Sequence, residues 1–157
     1  MSVHDHEYRE IITKAVCGSG RKNIKTTNHV LPLHEPTNIL GCWIINHNYH
    51  AHRIDDSVVE VHGTYDINVW YSYDDETSTD VEKEIVDYCD VIELSNKDKH
   101  CYFHDDEVIT EVIRHPNCLQ CNLEEGRIAV KVEREFAVSV IGETKVHVKV
   151  ASEDLQS

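Results

Sequence analysis

Three groups of residues in this 157-residue chain have side chains and spacings suited to chemistry. In NHNYHAHRIDD, His47, His50 and His52 lie close together. On a strand, His50 and His52 would project to the same side, and with His47 they could bind a metal ion. No carboxylate completes an obvious ligand set, so scattered histidines on a polar loop is the competing reading. In HPNCLQC, His115, Cys118 and Cys121 supply half of a structural zinc site, the Cys-x-x-Cys half. The second half is missing at standard spacing, unless Cys101 or His104 folds back. If the segment is extended, Cys118 and Cys121 face opposite sides of a sheet, which argues against chelation. Cys118 is then the better candidate for a disulfide to a second chain, with Cys121 beside it, while Cys17, Cys42, Cys89 and Cys101 are expected in core or half-buried positions. The third group is aromatic: Trp43, Trp70, Tyr71 and Tyr73 are candidates for a self-association surface, with plain core as the alternative for the two tyrosines.

Catalytic signatures are absent. The chain contains no Gly-x-Ser-x-Gly, no His-Glu-x-x-His and no Walker loop. Gly18-Ser19-Gly20 precedes a basic stretch, Arg21, Lys22 and Lys25, but lacks the partner residues of a phosphate cradle and reads as a turn. DDETSTD at 74–80 resembles a calcium loop only loosely, having neither the turn glycine nor the terminal glutamate in register. The pairs Asp55 with Asp56, and His104 with Asp105 and Asp106, read as solvated turns. No enzymatic activity and no cofactor are expected.

Composition narrows the partners. Against 15 Lys and Arg stand 29 Asp and Glu, a formal charge of −14, so the average field repels nucleic acid and anionic membranes. No run of about 20 apolar residues could cross a bilayer as a helix, and MSVHDHEYRE lacks the apolar core of a signal peptide. A soluble, cytosolic product is expected, its 6 cysteines first existing as thiols, which a particle that later becomes oxidised could join.

The elements that must position these residues are strands. In VVEVHGTYDINVWYSYD, Val59, Val61, Tyr65, Ile67, Val69, Tyr71 and Tyr73 share one parity and polar residues the other, with Trp70 the exception. So long a run predicts a bend or bulge near Gly63. Glu7–Lys22 suits helix or strand and is expected to end at Gly18–Gly20; Lys25–Val30 makes a short strand, and Pro32 and Pro36 bracket an extended loop. ILGCWIINH at 39–47 is apolar on both parities, as a strand covered on both sides, or one lying between a sheet and a second subunit, would be. Val81–Leu94 returns as a strand twisted or bulged midway, and Glu107–Arg114 makes another, stopped by His115 and Pro116. EEGR at 124–127 is a turn, and Ile128–Val140 a second long alternating row. Arg134 sits on the apolar parity of that row, so either a bulge rotates it outward or it pairs inside with an acid. Gly142 and Glu143 turn the chain before a last strand. The sum is an all-β antiparallel sandwich of about seven or more strands with little helix, one domain over 1–151, and a frayed end at 152–157.

REIITKAVCGSGRK, ILGCWIINH, YDINVWYSYD, DVIEL, HPNCL and VEREFAVSVIGETKVHVKV together resemble the outer spore coat protein E (CotE) family of endospore-forming Bacilli, over about Glu7 to Val150. The resemblance implies a non-enzymatic morphogenetic protein, made in the mother-cell cytoplasm and assembled around the forespore into the outer coat. It also implies partners: further copies of itself, the basement-layer coat ATPase that recruits it, and the outer-coat proteins it recruits. The family typically continues into a strongly acidic tail, whereas this sequence stops at SEDLQS, and its Cys and His content is high for the family. The rival expectation is a cytosolic metal-binding module built on His47, His50 and His52 or on His115, Cys118 and Cys121.

Overall fold

The computed structural model describes residues 6–95, 97 and 101–151. The stretch expected to fray, 152–157, and the side chains of His104, Asp105 and Asp106 lie outside the described residues. Among the described residues six strands follow one another: β1 (His6–Val30), β2 (Asn38–Asp55), β3 (Val58–Tyr73), β4 (Ser78–Glu93), β5 (Cys101–Glu124) and β6 (Arg127–Ala151). They form two antiparallel sheets, β1-β6-β5 and β2-β3-β4, which pack face to face.

The strand number falls below the seven or more expected because three anticipated breaks lie inside strands. Gly18–Gly20 does not turn the chain; β1 continues through it with a bulge between Val16 and Gly18. The glycines let β1 press against the end of β4, where a Cβ on Gly20 would strike the Glu93 carbonyl, and Ser19 bridges to Ser95. His115 and Pro116 do not stop β5. They occupy a bulge opposite Arg134, where a proline on an edge strand costs no ladder bond. Gly142 and Glu143 pair in register with Ala15 and Lys14 in mid-strand. The expected turn at 124–127 is present, with Gly126 at φ 71°, a left-handed conformation glycine adopts without steric cost.

β3 is the central strand of its sheet and pairs with β4 without any register shift from Val58 to Tyr73. The bulge expected near Gly63 therefore belongs to β2, where Asn46 and His47 together face Tyr65, with Asn46 at φ 57°. β4 carries no bulge either; its second apolar row, Val81, Ile85 and Val91, is on the exposed outer face.

The two inner faces supply the core. One cluster joins Val30, Tyr65, Ile67, Val69, Tyr71, Ile128, Val130 and Val132, and a second joins Val59, Val61, Ile92, Leu94, Phe136, Val138 and Val140. Between them lies a polar seam. Arg134 and Asp90, only 3% and 4% exposed, make a bidentate pair at 2.7 and 2.6 Å. Arg134 thus stays inward and meets an acid, the second of the two alternatives its parity allowed. Its guanidinium also lies 4.2 Å from the centre of the Tyr88 ring.

Candidate functional site

The three histidines expected to act together are split by the bulge at Asn46–His47. From Gly41 to Ile45 the odd-numbered β2 residues face outward; from Asn48 to His52 the even-numbered ones do. His47 therefore turns into the seam between the sheets. Its Nε2 is 2.6 Å from the Tyr88 hydroxyl and its Nδ1 is 3.0 Å from Nδ1 of His115. Burial, then the neighbouring His115, lowers its pKa from the usual 6.5 to about 4, so it is neutral at pH 7. A chain of contacts results, from His115 through His47 and Tyr88 to Arg134 and Asp90, closing the side where β2 meets β5. His47 is no partner for His50 and His52 in a metal site.

His50 and His52 do face the same way, as their alternation requires, and β3 and β4 add donors that the sequence reading did not single out. In register, His50 is opposite His62, His52 is opposite Glu60, and His62 is opposite Cys89. Residues directly opposite on one face have their Cβ atoms within about 5.5 Å of one another. Ligand atoms of His52, Glu60 and His62 all lie within 4.8 Å of one another, the one such group of donors among the described residues. Glu60 Oε2 is 2.8 Å from His62 Nε2 and 3.8 Å from His52 Nε2. Cys89 Sγ is 3.7 Å from His62 Nε2. The His50 ring is stacked near those of His52 and His62, with centroids 6.1 and 5.5 Å away. His50 and His62 also line a depression of about 350 Å³ that reaches Tyr49 and Tyr88 beside Gly63.

The hairpin turn alone would not have revealed this alignment. A bulge between Arg53 and Asp55 shifts the β2 register by one residue. Counted straight back from Asp55 opposite Val58, His52 would oppose Val61 and face the core. The available signal was the polar parity of β3, where Glu60 and His62 are two apart.

The HPNCLQC group does not assemble as expected. His115 is drawn to His47, whereas a bulge at Leu119 puts Cys118 opposite Val132 and Cys121 opposite Val130, both inward. The expectation that the two thiols face opposite sides fails because the extra residue restores their phase. Both are half-buried against the core beside the Cys42 thiol of β2. The Cys42 thiol donates to Cys121, which raises the pKa of Cys42 far above the usual thiol range and lowers that of Cys121. A bond from Cys118 or Cys121 to a second chain is disfavoured by this inward placement. Cys17 and Cys101 are joined in a disulfide linking β1 to the start of β5, a partner choice the sequence did not specify, and Cys89 is exposed rather than half-buried.

The aromatic candidates divide. Trp43 and Trp70, each 42% exposed, lie over Gly41 on the outer face of β2-β3-β4. Ile45, Val81 and Ile85 extend that apolar half of the face, the histidine group occupying the other half. Tyr71 is fully buried in the core, so it is removed from any surface open to a partner. Tyr73 is half-buried, its ring stacked on His34 with centroids 3.9 Å apart.

A further surface comes from strand length. Among the described residues β5 begins at Cys101, opposite Thr144, while β1 and β6 are paired to His6 and Ala151. Beyond Thr144 the described residues leave a two-stranded ribbon with exposed Ile11, Val146 and Val148 on one face and Tyr8 and Ile12 on the other.

No curated protein and no solved structure matches this chain. The family model described as outer spore coat protein E (CotE) matches residues 7–157, nearly its whole length. The chain, two antiparallel sheets of strands, therefore belongs to the CotE family of outer spore coat proteins.

Proposed function

We propose that this spore coat protein is a non-enzymatic, self-assembling scaffold, and that the β1–β6 ribbon is where copies join. An isolated two-stranded ribbon is marginal in water, and its unpaired edge is a template for a further strand. Here the segment 145–151 of β6 has β1 on one edge and no described strand on the other, and Ile11, Val146 and Val148 present an apolar face. A second copy would cover that face and complete the edge, stabilising the contact by about 1 kcal/mol per covered side chain. Trp43 and Trp70 offer a second, separate contact, and two such surfaces on one subunit suffice to build a sheet or fibre rather than a closed pair.

On this reading the chain is made in the mother-cell cytoplasm, surrounds the forespore and recruits other coat proteins. The basement-layer morphogenetic ATPase recruits it in turn. Family membership supports these roles. The charge of −14 opposes association of copies, so assembly strengthens as salt screens it.

Sedimentation and electron microscopy of the purified chain test the reading. Higher oligomers that grow with ionic strength are expected, and Val146→Lys with Val148→Lys should reduce them to small species while leaving the β-type circular-dichroism spectrum intact. Trp70→Ala probes the second contact. A monomer at every concentration and salt level would refute self-assembly; unchanged oligomers in the lysine variant would refute the ribbon as the joint.

A further inference from the structure

We propose that the outer face of β2-β3-β4 carries a divalent transition-metal site, of the zinc type, formed by His52, Glu60, His62 and Cys89. It is independent of the scaffold reading and shares no residue with the ribbon or the tryptophan face.

The donor set is the first reason. Two imidazoles, a carboxylate and a thiol make the mixed nitrogen, oxygen and sulfur shell that tetrahedral zinc takes up, whereas calcium and magnesium want oxygen alone. Spacing is the second. Around a tetrahedral zinc, two N or O donors at the usual bond lengths sit roughly 3.3 Å apart, and an N and an S donor about 3.6 Å apart. Here Glu60 Oε2 lies 2.8 and 3.8 Å from the two imidazole nitrogens, bracketing the first value. Cys89 Sγ lies 3.7 Å from His62 Nε2, next to the second. His52, Glu60 and His62 already gather within 4.8 Å of one another, and Cys89 joins them from its place beside His62.

Rigidity is the third reason. Each ligand is on a strand rather than a loop, and the β3–β4 register beneath Glu60, His62 and Cys89 is unbroken. The β2 bulge between Arg53 and Asp55 is what brings His52 onto the same face. His50, stacked beside His52 and His62, adds a neighbouring imidazole at the rim of the depression through which an ion would arrive. Neither metal site suggested by the sequence, His47 with His50 and His52 or His115 with Cys118 and Cys121, has such convergence among the described residues.

The test is titration of the full chain, stripped with a chelator, with Zn²⁺ by calorimetry and with Co²⁺ by absorption. The expected result is one tight ion per chain and a cobalt spectrum with tetrahedral d–d bands plus a near-ultraviolet thiolate-to-cobalt band. His62→Ala and Glu60→Gln should each weaken binding by at least 10- to 100-fold, the loss that follows even from removing a ligand's hydrogen-bond partner. Cys89→Ser should abolish the near-ultraviolet band. His29→Ala, which disturbs an unrelated surface pair with Glu124, should change nothing. If His62→Ala does not fold, His52→Ala supplies the same comparison. Equal affinity in the wild type and the ligand variants, an octahedral cobalt spectrum, or no band dependent on Cys89 would overturn the proposal.

Discussion

Breaking the buried pair of Arg134 and Asp90 should show whether the polar seam holds the two sheets or only tolerates being between them. Both side chains are almost fully enclosed and share two charge-assisted hydrogen bonds, and Arg134 also lies against the face of Tyr88. Arg134→Met leaves a carboxylate in an apolar setting. That group must stay charged and unpaired or take up a proton, which for an ordinary aspartate costs about 4 kcal/mol at pH 7. Direct loss of one partner of a buried pair is worth ~3–5 kcal/mol, so the two routes agree. Asp90→Val leaves a guanidinium that cannot neutralise itself, retaining only Tyr88 and a long contact of 3.5 Å to Thr26. Its penalty should fall in the same range but should not shrink on acidification, whereas that of Arg134→Met should. The double variant, apolar on both sides, should lie within about 1 kcal/mol of the wild type or above it. Urea unfolding at two protein concentrations measures all three. With a slope of about 1–3 kcal/mol/M, each single change should lower the midpoint by roughly 2 M and the double change should restore it. Additive losses in the double variant, or singles costing under about 1 kcal/mol, would refute the reasoning.

Other expectations rest on single contacts. Gly63→Ala places a Cβ on the Tyr88 phenol and 2.7 Å from the Asn48 carbonyl, so it should destabilise by about 1–3 kcal/mol; combined with Tyr88→Ala the losses should be less than additive in a double-mutant cycle. His47, with its folded pKa lowered to about 4 against an ordinary 6.5, contributes stability that is fully present above pH 6.5 and lost as pH falls toward 4, because the unfolded chain takes up the proton first. Between pH 7 and 4 the wild type should lose up to about 3 kcal/mol more than His47→Gln, less if solvent screens the half-buried ring, and parallel pH curves would contradict this. Among the inward thiols, Cys121 should react with iodoacetamide before Cys42 at mildly alkaline pH, and Cys42→Ala should slow Cys121 by removing its hydrogen-bond donor; peptide mass spectrometry reads both, and equal labelling would count against the contact.

Much of the fold was legible in the chain because a two-residue period with one buried face is a local property. The rows Val59–Tyr71 and Ile128–Val140 are the inner faces of the two central strands, as their alternation requires. Arg134 on an apolar parity allowed either an outward bulge or an internal acid; that it is an acid, and that the acid is Asp90, 44 residues away, came only from the structure. Strand number was misread because glycine and proline mark turns only on average. Gly18, Gly20, Pro116 and Gly142 lie at close sheet contacts, a bulge on an edge strand, or mid-strand pairings, and none of these is visible without the neighbouring strand.

The sequence by itself determined that the chain is all-β, that its parities alternate as they do, and which family it belongs to. Only the tertiary structure decided which functional side chains meet. Three bulges, at Asn46–His47, before Asp55 and at Leu119, each add one residue to a strand, and one residue is half the side-chain period. They send His47 inward to Tyr88, bring His52 outward to Glu60 and His62, and turn Cys118 and Cys121 together toward Cys42. A bulge is set by how two distant strands fit against each other, so residue spacing along one strand could not reveal where the phase changes.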